Sequence, residues 1–414
     1  MKLRTLLACA GACALLLATL STSAGAARQR SQAPSAVGRY IVVLKDSAEA
    51  GKLAGLHAES FGFRVDHVYR NALKGYSATM PRTAAAALAR RPAVAWVEAD
   101  RVHRIAAQST PTGINRVDAE LSPTARINGV DERVNVDVAV LDTGIDFSHP
   151  DLNVYTAGAK NCSLGAINAN DDNGHGSHVA GTIGALDNTI GVVGVAPGAR
   201  VWPVKVLNAA GVGLTSEIVC GIDYVRSRAS EIEVANMSLS GGGSDDGNCG
   251  NSNNDSEHRA ICAAVSAGVT FAVAAGNDHE DAKDSTPAAY DEVITVSALA
   301  DFNGQPGGGA PSTCRSDVDD TFANFSNYGA DVDLIAPGVC INSTYMLGMY
   351  STISGTSMAS PHVAGGAALY KANNPGATPA QVKTALQNAG NTNWTWPSQD
   401  LDGIQERLLN VANF

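Results

Sequence analysis

The chain has 414 residues, 45% of them hydrophobic and only 17% charged, so it can bury a large core and has the length of roughly two to three domains. Its formal charge is −11, and no basic patch interleaved with aromatic residues interrupts that acidity, which excludes a nucleic-acid-binding role. No stretch is apolar for long enough to span a bilayer.

Lys2 and Arg4, an apolar run from Leu6 to Leu20 and the small residues Ala24-Gly25-Ala26 read as a secretory signal over residues 1–26. Cys9 has too little apolar sequence before it to mark a lipid anchor. The expectation is a secreted chain, free of the membrane once the signal is cut. Six of the 8 cysteines lie beyond it, an even count that suggests bridges in an oxidising compartment. Spacing alone does not choose among the pairings. Nearness in sequence and loop flanks suggest Cys162–Cys220, Cys249–Cys262 and Cys314–Cys340. No CxxC or paired Cys/His spacing calls for structural zinc.

Residues 27–105 alternate strand-like and helix-like patterns, from "RYIVVLK" through "SAEAGKLAGLHAESFG" to "VAWVEADRV", which predicts a small α+β domain. They carry 13 Lys and Arg against 6 Asp and Glu, whereas residues 106–414 carry 14 against 34. The asymmetry suggests that the basic piece associates with the acidic one, although two differently solvated surfaces would read the same. In residues 106–414, apolar runs such as "VNVDVAVLD", "VWPVKVL" and "VTFAVAAGN" alternate with helical ones. That pattern predicts an α/β fold with a mostly parallel sheet covered on both faces.

Ligands in such sheets gather at the carboxyl ends of the strands. Asp142 ends "VAVLD", where a carboxylate is either a turn residue or needs a partner. His175 and His178 open a small-residue helix in "NGHGSHVAGT" and could be a metal pair, packed core residues or a catalytic base. Gly176 and Ser177 between them rule out the HExxH metalloprotease pattern. Asn277 follows Gly276 at a strand end, a common turn position. Ser357 begins "MASPHVAGGAALYKA", where unsatisfied helix N–H groups favour developing negative charge. Pro361 is expected to cost little so near the helix start. Taken together, the four supply a nucleophile, a base, an orienting anion and an oxyanion donor.

With "AVLDTGID", "HGSHVAGT", "NMSLSGG", "AAGN" and "GTSMASPHVAG" all present, the chain resembles the subtilisin family of serine proteases from about Gln108 onward. The resemblance implies a subtilisin-like doubly wound sheet and a serine endopeptidase of broad specificity acting on protein or peptide substrates. Ser357 would be the nucleophile, His175 the base, Asp142 its orienting partner, and Asn277 with the Ser357 N–H the oxyanion hole. Ser238, Leu239, Ser240, Gly241, Ala275 and Gly276 would edge the substrate cleft. Ser240 stands where the family usually has Gly, which affects the shape of the specificity pocket. One structural Ca²⁺ would be held by Gln108, Asp151 and Asn188 and by the carbonyls of Leu186, Ile190 and Val192. The basic domain would be a ferredoxin-like pro-segment, a folding assistant and intramolecular inhibitor, cut near Ile105 to Ala107. A monomer is expected. A non-catalytic decoy on the same fold is the alternative, against which the chain keeps all three triad residues. An esterase would need a GxSxG elbow, and Gly355-Thr356-Ser357-Met358-Ala359 is not one.

Overall fold

The computed structural model describes residues 37–100, 107–397 and 399–414, so the signal and all of the expected cut region Ile105 to Ala107 but Ala107 itself lie outside it. The chain divides into two compact units between Arg104 and Ile105. In the first, β1 (Val37–Leu44), α1 (Ala50–Phe61), β2 (Arg64–Tyr69), β3 (Gly75–Pro81), α2 (Arg82–Leu88) and β4 (Val94–Ala99) form an antiparallel sheet of order β2-β3-β1-β4. This is the ferredoxin-like arrangement. Alternation along β1 and β3 turns Val42, Leu44, Tyr76, Ala78 and Met80 inward against Ala54 and Leu88 of the helices.

The second unit runs α3 (Thr112–Arg116), β5 (Asp137–Asp142), β6 (Lys160–Asn161), α4 (His175–Gly184), β7 (Arg200–Lys205), α5 (Thr215–Ser227), β8 (Val234–Met237), β9 (Gly241–Gly242), α6 (Ser256–Ser266) and β10 (Thr270–Ala274). It continues with β11 (Ser285–Thr286), β12 (Ile294–Ala300), β13 (Thr321–Phe322), β14 (Leu334–Pro337), β15 (Ile341–Tyr345), β16 (Met349–Ile353), α7 (Thr356–Asn373) and α8 (Pro379–Ala389). The main sheet has the order β13-β12-β10-β8-β5-β7-β6, with β14 also on β12, and only the short β13 runs antiparallel. β5 lies between β7 and β8, so the chain runs from it to β6 and β7 on one side and then crosses from β7 to β8 on the other. Its carboxyl end, Asp142, is therefore at the switch point where an open α/β sheet forms a crevice.

Both faces of that sheet are covered. Val138 and Val140 of β5 pack with Val179 and Ile183 of α4 and Val363 and Ala367 of α7. Ala139 and Leu141 pack with Ile222 of α5 and Ile261 of α6 on the other face. Strands apolar on both faces are what a doubly wound sheet requires. The three disulfides are Cys162–Cys220, Cys249–Cys262 and Cys314–Cys340, as nearness in sequence suggested. Each ties a loop to a regular element or to another loop, and such closures typically stabilise by about 2–4 kcal/mol.

Pro361 differs from expectation. It is the sixth residue of α7, beyond the four donors a helix leaves unpaired, so it removes a bond that the Ser357 carbonyl would have accepted. The Ser238 hydroxyl takes its place, donating to that carbonyl at 2.8 Å. The proline thus ties the start of α7 to the segment after β8.

Near its beginning this unit is fastened to its far end by a buried charge cluster. The Arg116 guanidinium pairs with Asp301 at 2.7 Å and Asp320 at 2.5 Å, and donates to the Asn393 carbonyl at 2.6 Å. All three charged side chains are essentially inaccessible. Replacing Arg116 by Met would strand two buried carboxylates, a change that costs about 3–5 kcal/mol. Thermal unfolding of Arg116→Met in an inactive Ser357→Ala background should show a large drop in midpoint, and an unchanged midpoint would contradict this account.

Candidate active site

β5 is buried along Val138–Asp142, so it carries the Asp142 carboxylate into a place where a charge must be paired. The imidazole of His175, first residue of α4, supplies the partner: Nδ1 donates to Asp142 Oδ1 at 2.8 Å and lies 3.0 Å from Oδ2. The Thr143 N–H donates to the same Oδ1 at 2.7 Å. With the proton fixed on Nδ1, Nε2 keeps its lone pair. Burial pulls the imidazole pKa down, but the charge and hydrogen bond of Asp142, with help from Asp171, outweigh it and hold His175 above the ordinary histidine value.

The strand end and helix start are clamped together by a residue that the sequence reading overlooked. Asp171 Oδ2 accepts the Ser177 hydroxyl at 2.6 Å, while Oδ1 accepts the Thr143 hydroxyl and the Gly174 N–H, both at 2.9 Å. Thr143 Oγ1 in turn accepts the Gly176 N–H at 2.9 Å. Gly176 is required here, since a Cβ would lie 2.1 Å from the Gly144 carbonyl oxygen. Lys205, fully buried, donates to the Thr143 carbonyl and to Asp172, each at 2.6 Å. The only sequence signal for this clamp was the acidic pair in "NDDNGHGSH". His178 stands apart from the site: its Nε2 donates to the Ile341 carbonyl at 2.9 Å, and burial pulls its pKa down to about 4. It is a packed core histidine.

Ser357 is the second residue of α7, and its N–H is one of the donors a helix start leaves unpaired. Its hydroxyl donates to the Ser238 carbonyl at 3.3 Å, and among the described residues no hydrogen bond joins it to His175. Catalytic contacts in a free enzyme are commonly long and tighten around substrate. Asn277 accepts through Oδ1 from the Thr356 N–H at 2.8 Å and hydroxyl at 3.1 Å, leaving its exposed NH₂ as the free end. Gly276 makes this turn with φ +110°, where a Cβ would meet Asn327 Nδ2 at 2.4 Å.

A cleft of about 470 Å³ has His175 and Ser357 in its wall together with Ser238, Leu239, Ser240 and Gly241. Ala275 and Gly276 are buried and lead the chain from β10 into Asn277. The cleft also holds a group that sequence reasoning missed. Glu257 of α6 is 8% exposed, its Oε1 is buried without a hydrogen-bond partner, and burial, then Asp255, pushes its carboxyl up to about 7. It sits 16 residues beyond Gly241 in sequence, with no local pattern to connect the two.

The residues expected to hold calcium also converge. Asp151, fully buried, accepts Asn188 Nδ2 at 2.6 Å and the Val192 N–H at 3.0 Å. Gln108 Oε1 accepts the Asn188 N–H at 2.5 Å, and its amide donates to Asp187 at 2.9 Å. The Leu186, Ile190 and Val192 carbonyls accept no hydrogen bond among the described residues. Asn188 faces the carboxylate with nitrogen, and a half-turn of the amide would present oxygen. Such a set of oxygens suits Ca²⁺.

A serine beside helix-terminal N–H groups, on a cleft shared with an aspartate-oriented imidazole, equips a hydrolase to work by acyl transfer. The subtilase family profile matches residues 134–405 and the peptidase inhibitor I9 profile residues 39–106. An extracellular serine proteinase of Thermus sp. (strain Rt41A) is 39% identical over 382 residues, 86% of this chain and 85% of its own. Subtilisin E of Bacillus subtilis (strain 168) is 39% identical over 315 residues, covering 75% and 74%. The crystal structure of a cold adapted subtilisin-like serine proteinase superposes with a TM-score of 0.58 at 34% identity, covering 72% of this chain and 97% of that one. The chain belongs to the subtilase family and is a serine endopeptidase made with an inhibitor-type pro-segment.

Asp142→Asn removes the group that raises the His175 pKa and leaves the burial that lowers it. A base at His175 would work neutral and activity would be lost as pH falls through that pKa, so the acid limb of kcat/KM should move to lower pH. The plateau should drop by about 10⁴, as when the corresponding acid of another serine protease is amidated. A pH-rate profile checks both, and an unmoved or raised limb would contradict the assignment.

Proposed function

We propose that the protein is a secreted endopeptidase of broad specificity in which Ser357 attacks the scissile carbonyl. His175 Nε2 takes the hydroxyl proton and later delivers it to the leaving amine, while Asp142 holds the imidazole in the right tautomer. The amide of Asn277 and the N–H of Ser357 stabilise the tetrahedral oxyanion. Water then releases the acyl group by the same steps in reverse. The observation that carries this reading is the buried Asp142–His175 pair opening on the same cleft as Ser357. Residues 1–26 direct export, and residues 27–105 assist folding and inhibit the mature unit until they are cut off. Ser357→Ala should give a folded precursor that stays full-length when purified, with no activity on a casein or peptide substrate. Normal self-processing by that variant would overturn the assignment.

Glu257 gives the cleft a pH-dependent charge, neutral below about pH 7 and negative above. Substrates with a basic side chain near it should gain on apolar ones as pH rises. A ratio of kcat/KM for two such peptides cancels the His175 titration common to both. That ratio should rise several-fold from pH 6 to pH 8 and stay flat in Glu257→Gln; a rise preserved in the variant would place the specificity elsewhere.

We also propose that Gln108, Asp151, Asn188 and the carbonyls of Leu186, Ile190 and Val192 hold one structural Ca²⁺, supported by their convergence. An ion there would neutralise Asp151 and fasten the 186–192 loop to the beginning of the mature unit. Binding only to the folded state stabilises by mass action, about 2.7 kcal/mol at 100 times the dissociation constant. Chelator should speed heat inactivation, and Asp151→Ala should remove a distinct part of the calcium response while leaving turnover of a small peptide within a few-fold. Identical calcium dependence in that variant would rule this site out.

A further inference from the structure

Far along the chain, the segment "DLDGIQE" brings three carboxylates together outside the cleft. Asp400, Asp402 and Glu406 each offer an oxygen within 4.8 Å of the others. Asp400 is 5% exposed and Glu406 4%. Asp400 Oδ1, Asp402 Oδ2 and both Glu406 oxygens are buried without a hydrogen-bond partner. No Lys, Arg or His pairs with any of the three among the described residues.

The surrounding contacts use up the other oxygens and leave these facing one another. Asp400 Oδ2 accepts the Trp396 indole N–H at 2.9 Å, and Asp402 Oδ1 accepts the Ile404 N–H at 2.7 Å. The Glu406 carbonyl is held by the Trp394 indole at 3.0 Å. Gly403, at φ +81°, turns the chain between Asp402 and Ile404. The base of the segment is fixed as well. Thr395 donates to the Asp320 carbonyl at 2.8 Å, and Leu408 exchanges backbone hydrogen bonds with Asn391. Asp400 and Glu406 are thus held inside, with Asp402 half-buried beside them.

Burying several unpaired negative charges together is strongly unfavourable unless a cation or protons compensate them. All four unpartnered atoms are oxygens, with no thiolate or imidazole among them, which disfavours zinc and suits a hard cation. Ca²⁺ takes six to eight oxygens at flexible angles, and four carboxylate oxygens leave room for water to complete the shell. We propose that Asp400, Asp402 and Glu406 form a Ca²⁺ site separate from the one at Asp151. An ion there would join Trp394–Trp396 to the segment that lays Leu408 against β14. The same region is anchored by Arg116 through Asp320 and Asn393. The site would therefore lock the carboxyl-terminal segment onto the sheet.

The competing arrangement is a proton shared within the cluster. Terbium(III) titration separates the two, because excited Trp394 or Trp396 would transfer energy to an ion bound beside it. The experiment uses the full chain with Ser357→Ala, which prevents self-digestion, and repeats it with Asp151→Ala added, so that failure of the Asp151 reading is seen independently. Indole-sensitised terbium emission should saturate, be displaced by Ca²⁺, and persist with Asp151→Ala. Glu406→Gln and Asp402→Asn should each weaken the binding at least tenfold. Their thermal midpoints in chelator should stay equal to or above the parent's, since each removes a repelling charge. Two variants guard against one failing to fold. No calcium-displaceable emission, or the same emission in both variants, would overturn the proposal in favour of the shared proton.

Discussion

The pairing of one buried carboxylate with one imidazole constrains this molecule more than any other contact. Asp142 is inaccessible and cannot be left unpaired, so the end of β5 must meet the start of α4 at hydrogen-bond distance. That demand explains Gly176, where any side chain would strike the Gly144 carbonyl, and the Asp171 bracket that holds Thr143 and Ser177. It also explains why a lysine is buried behind the strand. Lys205 takes up the Thr143 carbonyl and pairs its positive charge with Asp172. The sheet contributes the location, since β5 is the strand from which the connections diverge.

The other half of the site depends on α7. Its start is tied to β8 by the Ser238 hydroxyl on the carbonyl that Pro361 leaves unpaired, and to β10 by Asn277 on Thr356. The proposed nucleophile and oxyanion donor are thus both held where α7 meets the segments that follow β8 and β10. A second theme is negative charge moved inward. Asp301 and Asp320 meet Arg116, whereas Asp400 and Glu406 meet no cation among the described residues.

Much of this was legible in the sequence, and the reason is physical. Polar groups set at strand ends and helix starts need small or turn-forming neighbours, so the candidate residues Asp142, His175, Asn277 and Ser357 each sit in a local pattern. The disulfides were readable because each cysteine pairs with its next neighbour along the chain, most closely in Cys249–Cys262 and Cys314–Cys340. Asp171 and Glu257 were not, since Asp171 reaches Thr143 on a distant stretch of chain, Glu257 enters the cleft from α6, and a lone carboxylate in a loop or on a helix has many ordinary uses. Pro361 was misjudged because the exact first turn of α7 decides which bond it removes. The Asp400–Glu406 cluster is nearly contiguous, yet its burial depends on packing against β14, and burial is what distinguishes it from a solvated acidic loop.

The central claim is that Ser357 becomes a nucleophile through His175 and Asp142. Labelling of the mature chain with an alkyl fluorophosphonate, mapped by peptide mass spectrometry, tests it most directly. The account predicts one adduct per chain, on Ser357, and its near-complete loss in His175→Ala under the same conditions. An adduct on another residue, or labelling of His175→Ala at the parent rate, would contradict it.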